Sequence, residues 1–313
     1  MIKYAVQDFY NLINKKILVF LLSISCANFA NAFQNINADK PTSTKEDAVL
    51  FINKIKELQP NSNWPDINPH LFLENIKDNI NNPLNLYEGL NTNFCGYAAL
   101  SYLVLHDDPL GYAKCMIELY NNGKSKFGKS TLHPSLNIHK IAGGLRFKGV
   151  MDIRPADQLW FLCLADHFKG YLNSFNHNYQ LGDEDTFWAA VNYEKFNRMI
   201  RDLLHYKVVA RGSDLLRPWI HDTYKYLSKT MQNGVTIMYV NNTILHKKNY
   251  NLVRAGVPTH FIVLLNISKA ENGLINIVYW DYGFRTLRQL TPAFLRKITF
   301  GISHCTKKIN NEE

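Results

Sequence analysis

The feature that most constrains this chain is a change of hydrophobic period near Gly234. Upstream, apolar residues recur at helical spacing. Downstream, VTIMYV, THFIVLLNI, LINIVYW and RTLRQL are short β-rich runs divided by turn residues, with Glu271-Asn272-Gly273 between the middle pair. Pro292 then opens a short helical run, AFLRKI. Helices first and antiparallel strands last is the order of an α+β fold. There is no internal repeat and no low-complexity segment.

Several helices are expected upstream. LFINKIKEL follows Ser43 and Glu46, which have capping-box spacing. HLFLENIKDNI reads as a second helix. AALSYLVL and GYAKCMIELYNN are interrupted at Asp107-Asp108-Pro109, a cap, and Tyr112 reads as a packing residue. PADQLWFLCLADHF, DEDTFWAAVNYEKFNRMIRDLL and LLRPWIHDTYKYLSKTM complete the set.

Residues 1–32 differ from the rest. Lys15 and Lys16 precede ILVFLLSISCA, and Ala30-Asn31-Ala32 has the small residues of a signal-peptidase site. The apolar run is shorter than the ~20 residues needed to span a bilayer. The expectation is a secretory signal and a secreted or periplasmic product; an uncleaved anchor is the alternative and the one membrane contact foreseen. Losing Lys3, Lys15, Lys16 and Asp8 with the signal lowers the net charge from +9 to +7. That basic balance suits anionic surroundings. No Lys/Arg run is interleaved with aromatics, so no nucleic-acid partner is expected.

Gly123 to Ser130 matches the phosphate-loop pattern GxxxxGK[ST] letter for letter. Such a loop must follow a strand and open a helix. Here a helical run precedes it and Pro134 follows, so no nucleotide is expected. The eleven histidines are scattered, with neither HExxH nor CxxC, so no metal and no cofactor is expected.

Four cysteines follow the signal: Cys95, Cys115, Cys163 and Cys305. Their number permits two disulfides, or a catalytic thiol with three left over. In NTNFCGYAAL, Cys95 falls at the first turn of an apolar helix, where unpaired amides and the dipole stabilise a thiolate. Its own amide can face a developing oxyanion. His260 starts a strand after Gly256-Val257-Pro258, and Asp281 ends the next strand. A hairpin through Glu271-Asn272-Gly273 brings the two to one end, where Asp281 can hold Nδ1–H while Nε2 faces a thiol. Singly, each residue reads as structural. Together, in this order, they point to catalysis.

Cys-Gly-x-Ala-Ala at a helix start, His-Phe-x-Val-Leu on a late strand and a hydrophobic strand ending in Asp resemble papain-like cysteine peptidases. The closer likeness is to the bacterial branch that includes bacteriocin-leader-processing peptidases. It covers the helix from Cys95 and the sheet from about Val235 to Ile302. The resemblance implies a papain-like fold, with a helical lobe carrying Cys95 and a sheet carrying His260 and Asp281 across a cleft. It implies a layout of signal (1–32), helical extension (33–85), peptidase domain (86–304) with a helical insertion (134–233), and tail (305–313). Cys95 would be nucleophile, His260 base and then acid, and Asp281 the orienting group, with Trp280 beside it as a shield or a core residue. The family's oxyanion Gln, about six residues before the cysteine, is replaced by Gly89; Asn91, slightly preferred, or Asn93 could substitute, or both are turn residues. The implied activity is cleavage of a peptide or isopeptide bond through a thioester, on a peptide or protein substrate such as a peptidoglycan stem. The alternatives are a transglutaminase-like acyl transferase or deamidase toxin, and a catalytically silent secreted binding protein.

Overall fold

Helix α1 (Lys45–Asn53) begins one residue later than the expected cap. Thr44, not Ser43, is the N-cap, and it exchanges hydrogen bonds with Asp47 in a complete capping box. Ser43 instead donates from its hydroxyl to Asp108 at 2.5 Å. The computed structural model describes residues 41–169, 171, 176–246 and 257–307, so the expected signal over 1–32 lies outside the described residues.

Helix α2 (Pro69–Asn81) follows, capped by Asn68 with Pro69 at its first position. Helix α3 (Cys95–Asp107) has apolar side chains all round and is buried on nearly every side. A helix of that composition belongs in the middle of a protein. Asp108 ends it and caps α4 (Pro109–Asn122), accepting from the Gly111 amide at 3.0 Å. Tyr112 is buried as expected, its hydroxyl accepting from Asn79 at 2.9 Å.

The phosphate-loop look-alike folds as a hairpin, β1 (Ser125–Phe127) and β2 (Ser130–Leu132), joined through Gly128-Lys129. Gly128 holds φ +57, and a Cβ there would sit 2.4 Å from the Leu203 carbonyl oxygen. Its backbone therefore faces protein. Then come α5 (Leu136–Ile141), α6 (Pro155–Phe168) and α7 (Tyr193–Leu203). The helix expected from Asp183 starts only at Tyr193, where Asn192 caps it; before that lies a 3₁₀ turn, Asp183–Asp185.

The sheet has six antiparallel strands: β3 (Tyr206–Gly212), β4 (Val235–Val240), β5 (His260–Lys269), β6 (Ile275–Asp281), β7 (Phe284–Leu290) and β8 (Thr299–Lys307). Their order is β3-β8-β4-β5-β6-β7. Helices α8 (Thr223–Thr230), α9 (Asn242–Leu245) and α10 (Pro292–Ile298) fall between strands in sequence. Alternate residues divide the two faces, as the strand period requires. Ile237, Tyr239, Phe261, Val263 and Trp280 join the core of α2, α3, α6 and α7. Met238, Val240, Ile262, Leu264, Ile277 and Tyr279 form a second core with Leu227, Leu245, Leu295 and Ile298. Each fully buried side chain of this size stabilises by about 1.5–3 kcal/mol, so both faces hold the sheet firmly.

Within the expected 134–233 segment, α6 and α7 build the main core and β3 is an edge strand of the sheet. Ala48, Ile52, Phe72 and Ile76, upstream of residue 86, belong to that same core. Strand β8 runs to Lys307 between β3 and β4. Mixed helix and antiparallel sheet is the α+β class.

Candidate active site

Cys95 opens α3 as its first residue. The turn before it is set by Thr92, whose hydroxyl donates to the Glu88 carbonyl at 2.7 Å and accepts from the Phe94 amide at 3.3 Å. The N-cap position is Phe94, and no side chain caps the helix. The first-turn amides of Cys95 and Gly96, which have no intrahelical partner, are left to serve an anion. A Cβ on Gly96 would come within 3.3 Å of Val191 and 3.4 Å of Phe261, so glycine lets α3 lie close on β5.

That approach carries Cys95 to the start of β5. Its sulfur lies 4.0 Å from the Thr259 carbonyl oxygen, one residue before His260. Cys95 is close enough to the His260 ring to favour its protonated form. Of the four cysteines among the described residues, only Cys95 is partly exposed. All four are free thiols, so the disulfide option is not used. Burial pushes the thiols of Cys115 and Cys305 up to about 12, which leaves them inert.

The histidine wall is polar and crowded. His260 Nε2 bonds Asp281 Oδ1 at 2.5 Å, with both residues buried. The ring is therefore reversed from the expected orientation: Nε2 is held by the carboxylate, and Nδ1 is the nitrogen left for the thiol. Asp281 Oδ2 bonds Nε2 of His246, the residue just after α9, at 2.7 Å. Burial would strip charge from His260, but the Asp281 carboxylate and then Cys95 outweigh it and hold the imidazolium well above its usual range. Burial likewise works against the Asp281 carboxylate, and the two histidines overcome it and hold the group below the usual carboxylate range.

Tyr282 and Gly283 form the two-residue turn between β6 and β7, both with positive φ, +49 and +81. That is the type I′ hairpin, and a tyrosine in it is uncommon. The conformation stacks the Tyr282 ring on His260, centroids 4.5 Å apart and 17° from parallel. Asn242 donates to the Tyr282 hydroxyl at 2.9 Å. Trp280 is a buried core residue whose indole N–H donates to the Leu84 carbonyl at 2.8 Å.

A cavity of about 370 Å³ opens beside the sulfur. Asn93, Tyr171, Phe187, Val191, Tyr239 and Phe261 are among its walls. Of the two candidate amides, Asn93 lines the cavity and Asn91 does not. Asn91 is exposed and donates from its backbone to Lys148. The Asn93 side chain donates to the Thr186 carbonyl at 2.8 Å, leaving its second amide proton for a ligand. Gly89 cannot be the missing glutamine's site: it holds φ +87, and a Cβ there would fall 2.7 Å from the Lys148 carbonyl oxygen.

Glu88, His246 and Tyr282 are the site residues that sequence reasoning missed. Glu88 is wholly buried, and its carboxylate lies with His260 and Asp281 in a group whose ligand atoms fall within 4.8 Å of one another. Three such groups can hold a cation, so the fit needs testing. Two atoms on a tetrahedral ion at 2.0–2.1 Å stand about 3.3 Å apart. His260 Nε2 and Asp281 Oδ1, at 2.5 Å, are instead bonded to each other. With Nε2 and Oδ1 bonded to each other, that pair of atoms does not frame an ion.

No family model matches the chain, and no curated protein or solved structure matches it.

Proposed function

We propose that the protein is a papain-like thiol hydrolase that cleaves an amide bond of a peptide or protein. The observation that carries this reading is the His260–Asp281 hydrogen bond beside Cys95, whose sulfur meets the residue just before His260 at the edge of a cavity. In the first step the Cys95 sulfur attacks the substrate carbonyl carbon, and the amides of the α3 N-terminus with the Asn93 side chain receive the oxyanion. His260 Nδ1–H then gives its proton to the leaving nitrogen, the C–N bond breaks, and a thioester remains. Water, deprotonated by the neutral His260, attacks the thioester, releasing the carboxylic acid and restoring the thiolate–imidazolium pair. Asp281 keeps Nε2 engaged throughout, so the ring presents Nδ1 to every proton transfer.

Export as a secreted or periplasmic enzyme is part of the same proposal and rests on residues 1–32. Among the described residues, no helix is long and apolar enough to cross a membrane.

The test begins with the thiol. Iodoacetamide at pH 7 should label Cys95 alone, leaving the buried Cys115, Cys163 and Cys305 intact. A peptide library digested by wild type and by Cys95→Ala should then yield products only with wild type. Cleavage by the alanine variant, or a Cys95 that does not alkylate, sinks the reading. Ammonia release or amine incorporation without cleavage would instead move it to deamidation or acyl transfer.

A further inference from the structure

The Glu88 carboxyl is the one acidic group beside the histidine wall with no partner of its own. It has no solvent exposure, and among the described residues no other residue hydrogen-bonds either oxygen; only its own backbone amide acts on it. Its backbone is pinned by the Thr92 hydroxyl, so the side chain stays aimed at the His260–Asp281 pair. It does not line the cavity, which excludes it from touching substrate as an oxyanion donor. Proteins retain such a group rarely, because an unpartnered buried carboxyl costs stability that an apolar residue would not.

The charges that face it come from three elements. His260 on β5 and Asp281 on β6 act on it directly, and Tyr282, in the turn after β6, is acted on by Glu88, Asp281 and Cys95 in common. His246, just after α9, reaches the cluster through Asp281. Neither lysine nor arginine is among the charges acting on Glu88. Burial, opposed by His260 and assisted by Asp281, pushes the Glu88 carboxyl up to about 8. Burial and the Asp281 charge both favour the protonated acid, so its ionisation calls for a rise in pH.

We propose that Glu88 is a positioning residue for the thiol site, a buried carboxyl whose ionisation supplies a second negative charge beside His260 and holds the proton on its ring. Asp281 divides its one charge between two histidines, and Glu88 adds to it once it loses its own proton. The effect is to extend the Cys95 thiolate–His260 imidazolium pair toward alkaline pH. The role rests on the thiol-hydrolase reading, because it needs His260 as the proton carrier.

The test is histidine NMR on the full chain, with ring carbons labelled and the His260 signal assigned by its loss in His260→Ala. In wild type the His260 signal should titrate in two stages, with a step near pH 8 as Glu88 ionises. Glu88→Gln and Glu88→Leu should each lose that step and lower the final midpoint of His260 by about one to three pH units, the effect of one charge at this separation. Thermal melts of both variants establish that they are folded. A wild-type curve with a single stage overturns the proposal even if neither variant folds, and so does a folded variant with an unmoved midpoint. A wild-type Cys95 that iodoacetamide does not reach overturns the hydrolase reading instead, so the two failures are told apart.

Discussion

The two walls of the site are built on opposite plans. The cysteine wall is one apolar helix end with no side-chain cap, and its sulfur lies against the Thr259 carbonyl. The histidine wall gathers His260, Asp281, His246, Glu88 and Tyr282 from two strands, a turn, a short helix and a distant loop. On the first wall, position does the work: backbone amides and a dipole need no partners. On the second, the charge of one imidazole is governed by what surrounds it. Substitutions on the cysteine wall should therefore act all or none, whereas those on the histidine wall should be graded and pH-dependent.

Cys95→Ala should give the largest effect, a loss of amide cleavage on the order of 10⁴-fold or more, with the melting temperature preserved. Asp281→Asn comes next. It should slow turnover by on the order of 10²–10⁴-fold and also destabilise the fold by about 3 kcal/mol, since two histidines lose a buried partner. The sign of its pH dependence follows from the two groups. Asp281 is held below its ordinary 3.8, so its contribution is present above that pH and disappears as pH falls through the folded value. His260 is held above its ordinary 6.5, so its contribution is present below that pH and disappears as pH rises through the folded value. Urea titrations should thus find the penalty of Asp281→Asn greatest between about pH 4 and 6.5. A penalty that is flat with pH would break the contrast between the walls.

His246→Gln should be milder, about tenfold in turnover, because Asp281 Oδ1 keeps its bond to His260. The measurement that checks it is the acid limb of the pH–rate profile, which should move while Cys95 alkylation at pH 7 does not. Smallest is Asn93→Ala, expected to cost only several-fold in kcat, because that amide already spends one proton on Thr186 and the helix amides remain. A 10³-fold loss there would show that the cysteine wall also depends on a side chain.

The strands from 235 to 290 were legible because buried β-branched runs alternate with strong turn residues, and the Cys95, His260 and Asp281 positions were legible from their places at element ends. The edge strand β3 was not: four of its seven residues at the exposed end give no apolar alternation, and it follows a helix directly. Strand β8 hides for a different reason. Its centre carries Gly301, which fits against the Tyr193 ring, and Ser303, which donates to Asn197 at 2.6 Å, so tertiary packing replaces hydrophobic residues. Glu88 and His246 have no local signal, because their roles depend on Asp281, far along the chain in both cases. The ring orientation of His260 is beyond any spacing rule, since both nitrogens satisfy the same sequence.

Strand order also has a meaning in time. Because β8 lies inside the sheet, between a strand from the middle of the chain and the first of the later group, β3 and β4 cannot be joined until residue 307 has been made. Pairings of such sequence separation form late and slowly. The thiol of Cys95 is therefore synthesised more than two hundred residues before the strand that completes its opposite support. Under the proposed function, a nascent chain carries its nucleophile well before the sheet that faces it can close.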